Sequence, residues 1–240
     1  MKGLLMQNDS TRDSVLVWDL PLRLFHWLLA ASFVGAFLTA ESERWRAVHA
    51  VLGYGVLALV GFRLLWGVFG TRYARFGALP AAPKRALAYL RSLLAGRPEH
   101  HVGHNPAGSL AIYALLTLAA ASALTGLAAF ADVGGEWLGE LHEGAANAML
   151  AVVIVHIAGV VVGSVAHREN LAAAMLTGRK RGAPGAGIGQ PRRLVAATLL
   201  TLILGLWTGV LPTPGLELQR TLIGVTSQAH AGGHPLRHDN

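Results

Sequence analysis

Residues 140–160 read ELHEGAANAMLAVVIVHIAGV. Beyond its first turn the stretch is apolar on every side, as a helix immersed in hydrocarbon has to be. Yet it carries two histidines, His142 and His156, and an imidazole inside a membrane needs a partner or a job. Fourteen residues at 1.5 Å each separate them by about 21 Å along the axis, and fourteen steps of 100° leave them within about 40° of each other. The stretch predicts a spanning helix with two polar stations on one face.

The rest of the chain fits that solvent. Of 240 residues 53% are hydrophobic and 14% charged, and the mean hydropathy is +0.46, which excludes an ordinary soluble domain. Five windows, 22–40, 47–69, 107–130, 142–166 and 194–211, are long and apolar enough for a hydrocarbon core of about 30 Å. The first lies behind some twenty polar or mixed residues (about 20) and contains His26, so it reads as a mature helix, not a cleaved signal. There is no cysteine, which excludes disulfides, iron–sulfur ligation and covalent haem attachment.

The net charge of +7 is a topology signal, not a nucleic-acid footprint. Lys2, Arg12 and Arg23 precede or open the first window. Arg72, Arg75, Lys84, Arg85, Arg91 and Arg97 lie between the second and third, and Arg168, Arg179, Lys180, Arg181, Arg192 and Arg193 between the fourth and fifth. The alternate segments hold only Arg44, Arg46, Arg220 and Arg237. The positive-inside rule therefore puts the N-terminus in the cytoplasm and the C-terminus outside.

In the long internal loop, PKRALAYLRSLLAG gathers Leu87, Leu90, Leu93 and Leu94 on one face with basic residues around it, which suits a helix lying on the inner leaflet. The segment RKRGAPGAGIGQPRR is rich in Gly and Pro and reads as a flexible linker. The expected division is a four-helix unit over 1–180, a cytoplasmic linker over 181–193, a fifth spanning helix over 194–211 as an appendage, and an extracytoplasmic tail over 212–240. In the tail, His230, His234 and His238 leave weak metal binding or disorder open. His100, His101 and His104 read as solvated loop residues.

Four histidines fall in or at the mouth of spanning windows: His26, His49, His142 and His156. The fourth window runs inward, so His142 is outer and His156 inner. The second also starts outside, placing His49 level with His142, while the first starts inside, placing His26 level with His156. Two neutral imidazoles at one level of a bundle suit axial ligation of a haem iron, and two such pairs suit two stacked haems. Gly53 and Gly159, near His49 and His156, give bare backbone for a macrocycle, although small residues also pack membrane helices. Arg63, fourteen residues after His49, either pairs with a haem propionate or snorkels to the inner interface.

The text VWDLPLRLFHW, RAVHAVLGYGVLALVGFRLLWGVFGTRYARF, HNPAGSL and LHEGAANAMLAVVIVHIAGVVVGSVAHRENLAAAMLTGRK resembles the prokaryotic cytochrome b561 family, in the branch shared with b-type subunits of hydrogenase and thiosulfate reductase. The resemblance covers roughly residues 15–180. It implies an all-α integral membrane protein: a four-helix bundle holding two noncovalent b haems, with a fifth C-terminal transmembrane helix outside the pattern. The ligands it implies are His49 with His142 outside and His26 with His156 inside. The chain is also similar to the cytochrome b subunit of membrane formate dehydrogenase, which implies quinone contact at Asn105 and His167, residues that also suit a helix cap and an interfacial imidazole.

The expectation is an electron carrier of the bacterial cytoplasmic (inner) membrane. It would work between quinone, either ubiquinone or menaquinone, and an extracytoplasmic redox protein such as a c-type cytochrome or a reductase or hydrogenase subunit. No catalytic constellation is present: Asp19, Glu143, Trp18 and Trp27 read as interfacial and packing residues. Two alternatives are a membrane anchor subunit without redox work and a transporter using histidines as proton relays.

Overall fold

The computed structural model describes residues 13–97, 99–214 and 216. A short strand, β1 (Asp13–Leu16), leads into α1 (Leu20–Thr39) and, after a 3₁₀ turn at Glu43–Trp45, α2 (Arg46–Phe69). Then come α3 (Pro83–Leu94), α4 (Pro106–Phe130), α5 (Trp137–His167), α6 (Leu171–Thr177), β2 (Arg179–Gly182) and α7 (Arg193–Trp207). The protein is an all-α membrane bundle. Among the described residues, α1, α2 with its leading turn, α4 and α5 are long and apolar enough to cross a membrane. In the α4 and α5 windows only 11% of residues are buried, at mean hydropathies of 1.9 and 2.5, so their outward faces are apolar and suited to lipid.

Helix starts are fixed by local chemistry. The Asp19 carboxylate accepts the Leu22 N–H at 2.8 Å, with Pro21 following in the first turn. Asn105 does the same for Gly108 at 2.7 Å ahead of α4, and Asn170 for Ala173 at 2.8 Å ahead of α6. Asp19, completely buried, also accepts from the Trp66 indole at 3.0 Å and the Thr71 hydroxyl at 2.6 Å. One carboxylate thus ties the start of α1 to the end of α2.

Neighbouring helices pack in sequence, α1 on α2 and α4 on α5, with α2 also against α4. One core gathers Val17, Trp18, Leu22, Phe25, Leu59, Leu116, Ala174, Leu199 and Ile203. A second joins Val56 and Val60 of α2 to Ala119 of α4 and Met149 of α5.

Two expectations change here. The last helix is no appendage: Leu199 and Ile203 lie in the first core, and α7 packs on α1 and α2. The Trp207 indole fits against Gly55, where a Cβ would lie 2.8 Å from Nε1, and the Tyr54 hydroxyl donates to the Pro214 carbonyl at 2.6 Å. With 15 residues α7 rises about 22 Å, short of a hydrocarbon core crossed without flanking residues.

The Gly/Pro-rich segment is held, not free. Strand β2 pairs antiparallel with β1, Leu16 opposite Arg179 and Val15 opposite Lys180. Beyond it, Ile188 N–H donates to Leu16, Leu20 N–H to Pro191, and the Tyr73 hydroxyl to Ala186. A short strand far from its partner in sequence carries no periodicity strong enough to betray this pairing. On α3, Ala86 and Tyr89 turn toward α4, and Leu93 is half-buried, while Leu87, Leu90 and Leu94 stay exposed. The tail histidines His230, His234 and His238 lie outside the described residues.

Candidate functional site

The helices bring the four intramembrane histidines together in two pairs. The His49 and His142 rings have centroids 5.9 Å apart at 86°. The His26 and His156 rings are 6.5 Å apart at 55°. Two imidazoles on opposite sides of one metal ion have centroids about 6 Å apart, from a metal–nitrogen bond of about 2.0 Å and about 1 Å more to each ring centre. Both separations match that requirement.

The outer pair is also oriented. Nδ1 of His49 lies 2.9 Å from the Ala36 carbonyl, and Nδ1 of His142 lies 2.8 Å from the Ser122 carbonyl. A carbonyl only accepts, so each Nδ1 carries its proton and donates. In the neutral ring this leaves the Nε2 lone pair free for a metal, which is how ligating histidines are commonly set. Gly126, one turn beyond Ser122, makes room: a Cβ there would stand 2.7 Å from Nδ1 of His142. Neither Ser122 nor Gly126 is distinguishable in the sequence, because small residues fill α4 and none points to a histidine on another helix.

The inner pair lies among unsatisfied polar atoms. Nδ1 of His26 is buried with no hydrogen-bond partner. Arg63 is 2% exposed, lies over the Phe76 ring at 4.6 Å, and has Nη1 buried without a partner. Of the two roles open to Arg63, snorkelling to the interface is therefore excluded. Asp19 is its electrostatic partner within the chain, and the idle Nη1 leaves room for a further acceptor such as a carboxylate.

A Cβ placed on Gly53 or Gly159, about one turn from His49 and His156, would meet nothing within 4 Å, so neither position is closed by a neighbouring side chain. Imidazole donors and an idle guanidinium fit haem b, and His49 with His142, and His26 with His156, are the pairs that could hold it.

Where α4 starts and α5 ends, the two residues considered for quinone contact share one crevice. Asn105 and His167 line it with His100, His101, Gly103, Glu169, Leu171 and Lys180. Asn105 is also the α4 cap, and His167 accepts or donates through Nε2 at 3.1 Å from the Tyr89 hydroxyl. Tyr89 stacks between His101, at 5.7 Å, and His167, at 6.4 Å. Burial pushes the Tyr89 phenol up, and it lowers the His101 imidazole and the Lys180 ammonium. Lys180 donates to the His101 carbonyl at 2.9 Å.

His101 and His104 are therefore packed against aromatic rings and only partly exposed. His104 packs on Trp18 with centroids 4.4 Å apart. Burial, and then the Arg63 charge, push its pKa down to about 3. The loop before α4 folds inward because Trp18 and Tyr89 give its imidazoles aromatic faces, a pairing across distant segments that periodicity does not reveal.

The family model described as prokaryotic cytochrome b561 matches residues 17–178. Two similar proteins named "Probable Ni/Fe-hydrogenase B-type cytochrome subunit" come from Azotobacter. That of Azotobacter vinelandii is 32% identical over 151 residues, covering 50% of this chain and 61% of the relative. That of Azotobacter chroococcum mcd 1 is 32% identical over 155 residues, covering 52% and 63%. The matched part thus spans about six-tenths of those relatives. A Rhodobacter capsulatus protein of the same name is 26% identical over 221 residues, covering 73% of this chain and 84% of the relative. No solved structure matches.

Proposed function

The chain belongs to the prokaryotic cytochrome b561 family, multi-pass membrane b-type cytochromes of electron transport, and on that premise we propose that it binds two b haems and carries electrons between the two faces of the membrane. His49 and His142 would hold the outer haem, and His26 and His156 the inner one. Haem b so held would supply a one-electron couple, which suits electron transfer.

The observation that carries this reading is the pairing of imidazoles at two depths, 5.9 and 6.5 Å between ring centroids. The chain's residues do the remaining work. Ala36 and Ser122 aim the outer rings through their carbonyls. Gly53 and Gly159 put no side chain beside His49 and His156. Arg63 holds a carboxylate at the inner level, and the apolar faces of α4 and α5 exclude water.

The N-terminus and the crevice around Asn105 and His167 face the cytoplasm, following the placement of basic residues. Quinone contact is placed at Asn105 and His167 on the rim of that crevice. The outer turns meet an extracytoplasmic redox protein, and the names of the relatives favour a nickel–iron hydrogenase. The α7 helix with its flanking residues makes a fifth crossing.

The test is a reduced-minus-oxidised spectrum with a haem count on purified protein. Two low-spin b haems per chain are expected. A colourless protein, as a proton-relay transporter or plain anchor requires, overturns the reading.

A further inference from the structure

Helix α3 has three faces with different chemistry. Ala86 and Tyr89 are buried against the bundle. Leu87, Leu90 and Leu94 are 49%, 45% and 89% exposed, and at 100° per residue they form one stripe about 60° wide. Lys84 and Arg91 lie within about 60° of Leu87, on the edge of that stripe away from the buried face. Seven residues apart, they point within about 20° of each other and are separated by about 10.5 Å along the axis. Arg85 lies about 160° from Leu87, opposite the stripe. All three cations are exposed, and none forms an ion pair among the described residues.

The apolar stripe calls for hydrocarbon, and the adjoining spanning helices supply the membrane that provides it. A pair of unpaired cations along one edge of such a stripe sits at headgroup depth, where it meets anionic phosphates. The geometry points to α3 as a binding site for anionic phospholipid, with Lys84 and Arg91 as the headgroup contacts and Arg85 as a bystander. The site is wired to the inner crevice. Tyr89, on the opposite face of the same helix, lies 3.1 Å from Nε2 of His167 at the end of α5. This site goes beyond electron transfer and does not depend on the haem assignment.

The test uses the full purified chain in nanodiscs of phosphatidylcholine with or without phosphatidylglycerol, and retained lipid is counted by native mass spectrometry. Phosphatidylglycerol is expected in excess over phosphatidylcholine. Lys84→Gln and Arg91→Gln each weaken its retention about fivefold, the effect of about 1 kcal/mol per cation near the surface. Arg85→Gln, with the same change of charge, leaves retention within about twofold. Equal losses at all three positions, no loss at any, or no excess in the parent chain would overturn the assignment. A second measurement needs no variant: the excess in the parent chain falls in 1 M salt, where screening shortens to about 3 Å, and its persistence refutes headgroup contact. A colourless preparation fails the haem assignment while leaving the lipid count readable.

Discussion

The imidazoles of His49 and His142 face each other across 5.9 Å, each with Nδ1 tied to the backbone carbonyl of a third and a fourth segment, Ala36 on α1 and Ser122 on α4. The two spanning helices other than their own thus supply no ring at this level yet decide where the two rings point. Outer and inner sites differ in this respect, since Nδ1 of His26 has no such partner.

Replacement of His49 or His142 by Ala removes the outer haem, and replacement of His26 or His156 removes the inner one. Each single variant retains about half of the b-haem absorbance, because one haem of two is lost. Redox titration identifies which component disappears. If His49→Ala and His142→Ala remove different components, the pairing is wrong.

Gly126→Ala displaces His142 without touching it chemically. The added methyl would lie 2.7 Å from Nδ1, closer than packed atoms approach. The ring moves, its bond to Ser122 weakens, and the outer component shifts in midpoint potential or is lost while the inner one stays. Potentiometric titration of the two components reads this directly. An unchanged outer component would show that Gly126 is mere filler.

Asp19→Ala unties the start of α1 from the end of α2. It removes a helix cap and leaves the Trp66 indole and the Thr71 hydroxyl without their acceptor. A lost cap and two unsatisfied donors cost about 2 kcal/mol or more, lowering the melting temperature by at least about 4 °C. Asp19→Asn keeps an oxygen for the cap and falls between. Thermal unfolding in detergent tests the order, and a parent-like melt of Asp19→Ala refutes it.

His104 makes stability fall in acid. Its folded pKa is about 3 against about 6.5 unfolded, so between those values the unfolded chain binds a proton that the folded one does not. Stability is therefore complete above about pH 6.5 and decreases as pH falls toward 3, by at most about 1.4 kcal/mol per pH unit for one group. His104→Gln should flatten that part of the profile. Melting temperatures from pH 7 to pH 4 compare the two proteins, and identical slopes would exclude His104 as the source.

Much of the architecture was legible in the chain because a membrane leaves few choices. Lipid forces backbone groups to bond within a helix, so apolar length alone located α1, α2, α4 and α5 to within a few residues at their inner ends, and within five at the start of α5. Helix rise and alternating direction then gave each histidine a depth, and depth was enough to say which two rings could meet. Sequence spacing determined that His142 and His156 occupy one face at two levels.

Only the tertiary structure decided what surrounds those levels. The carbonyls of Ala36 and Ser122, the space at Gly126, the buried Nη1 of Arg63 and the packing of His104 on Trp18 all arise between segments distant in the chain. The same holds for α7 against Gly55 and for β1 pairing β2. A hydropathy pattern reports how one helix meets its solvent, because that depends on the helix's own side chains. Which donor meets which acceptor depends on how helices rotate and pack against one another, and that is written in no single segment.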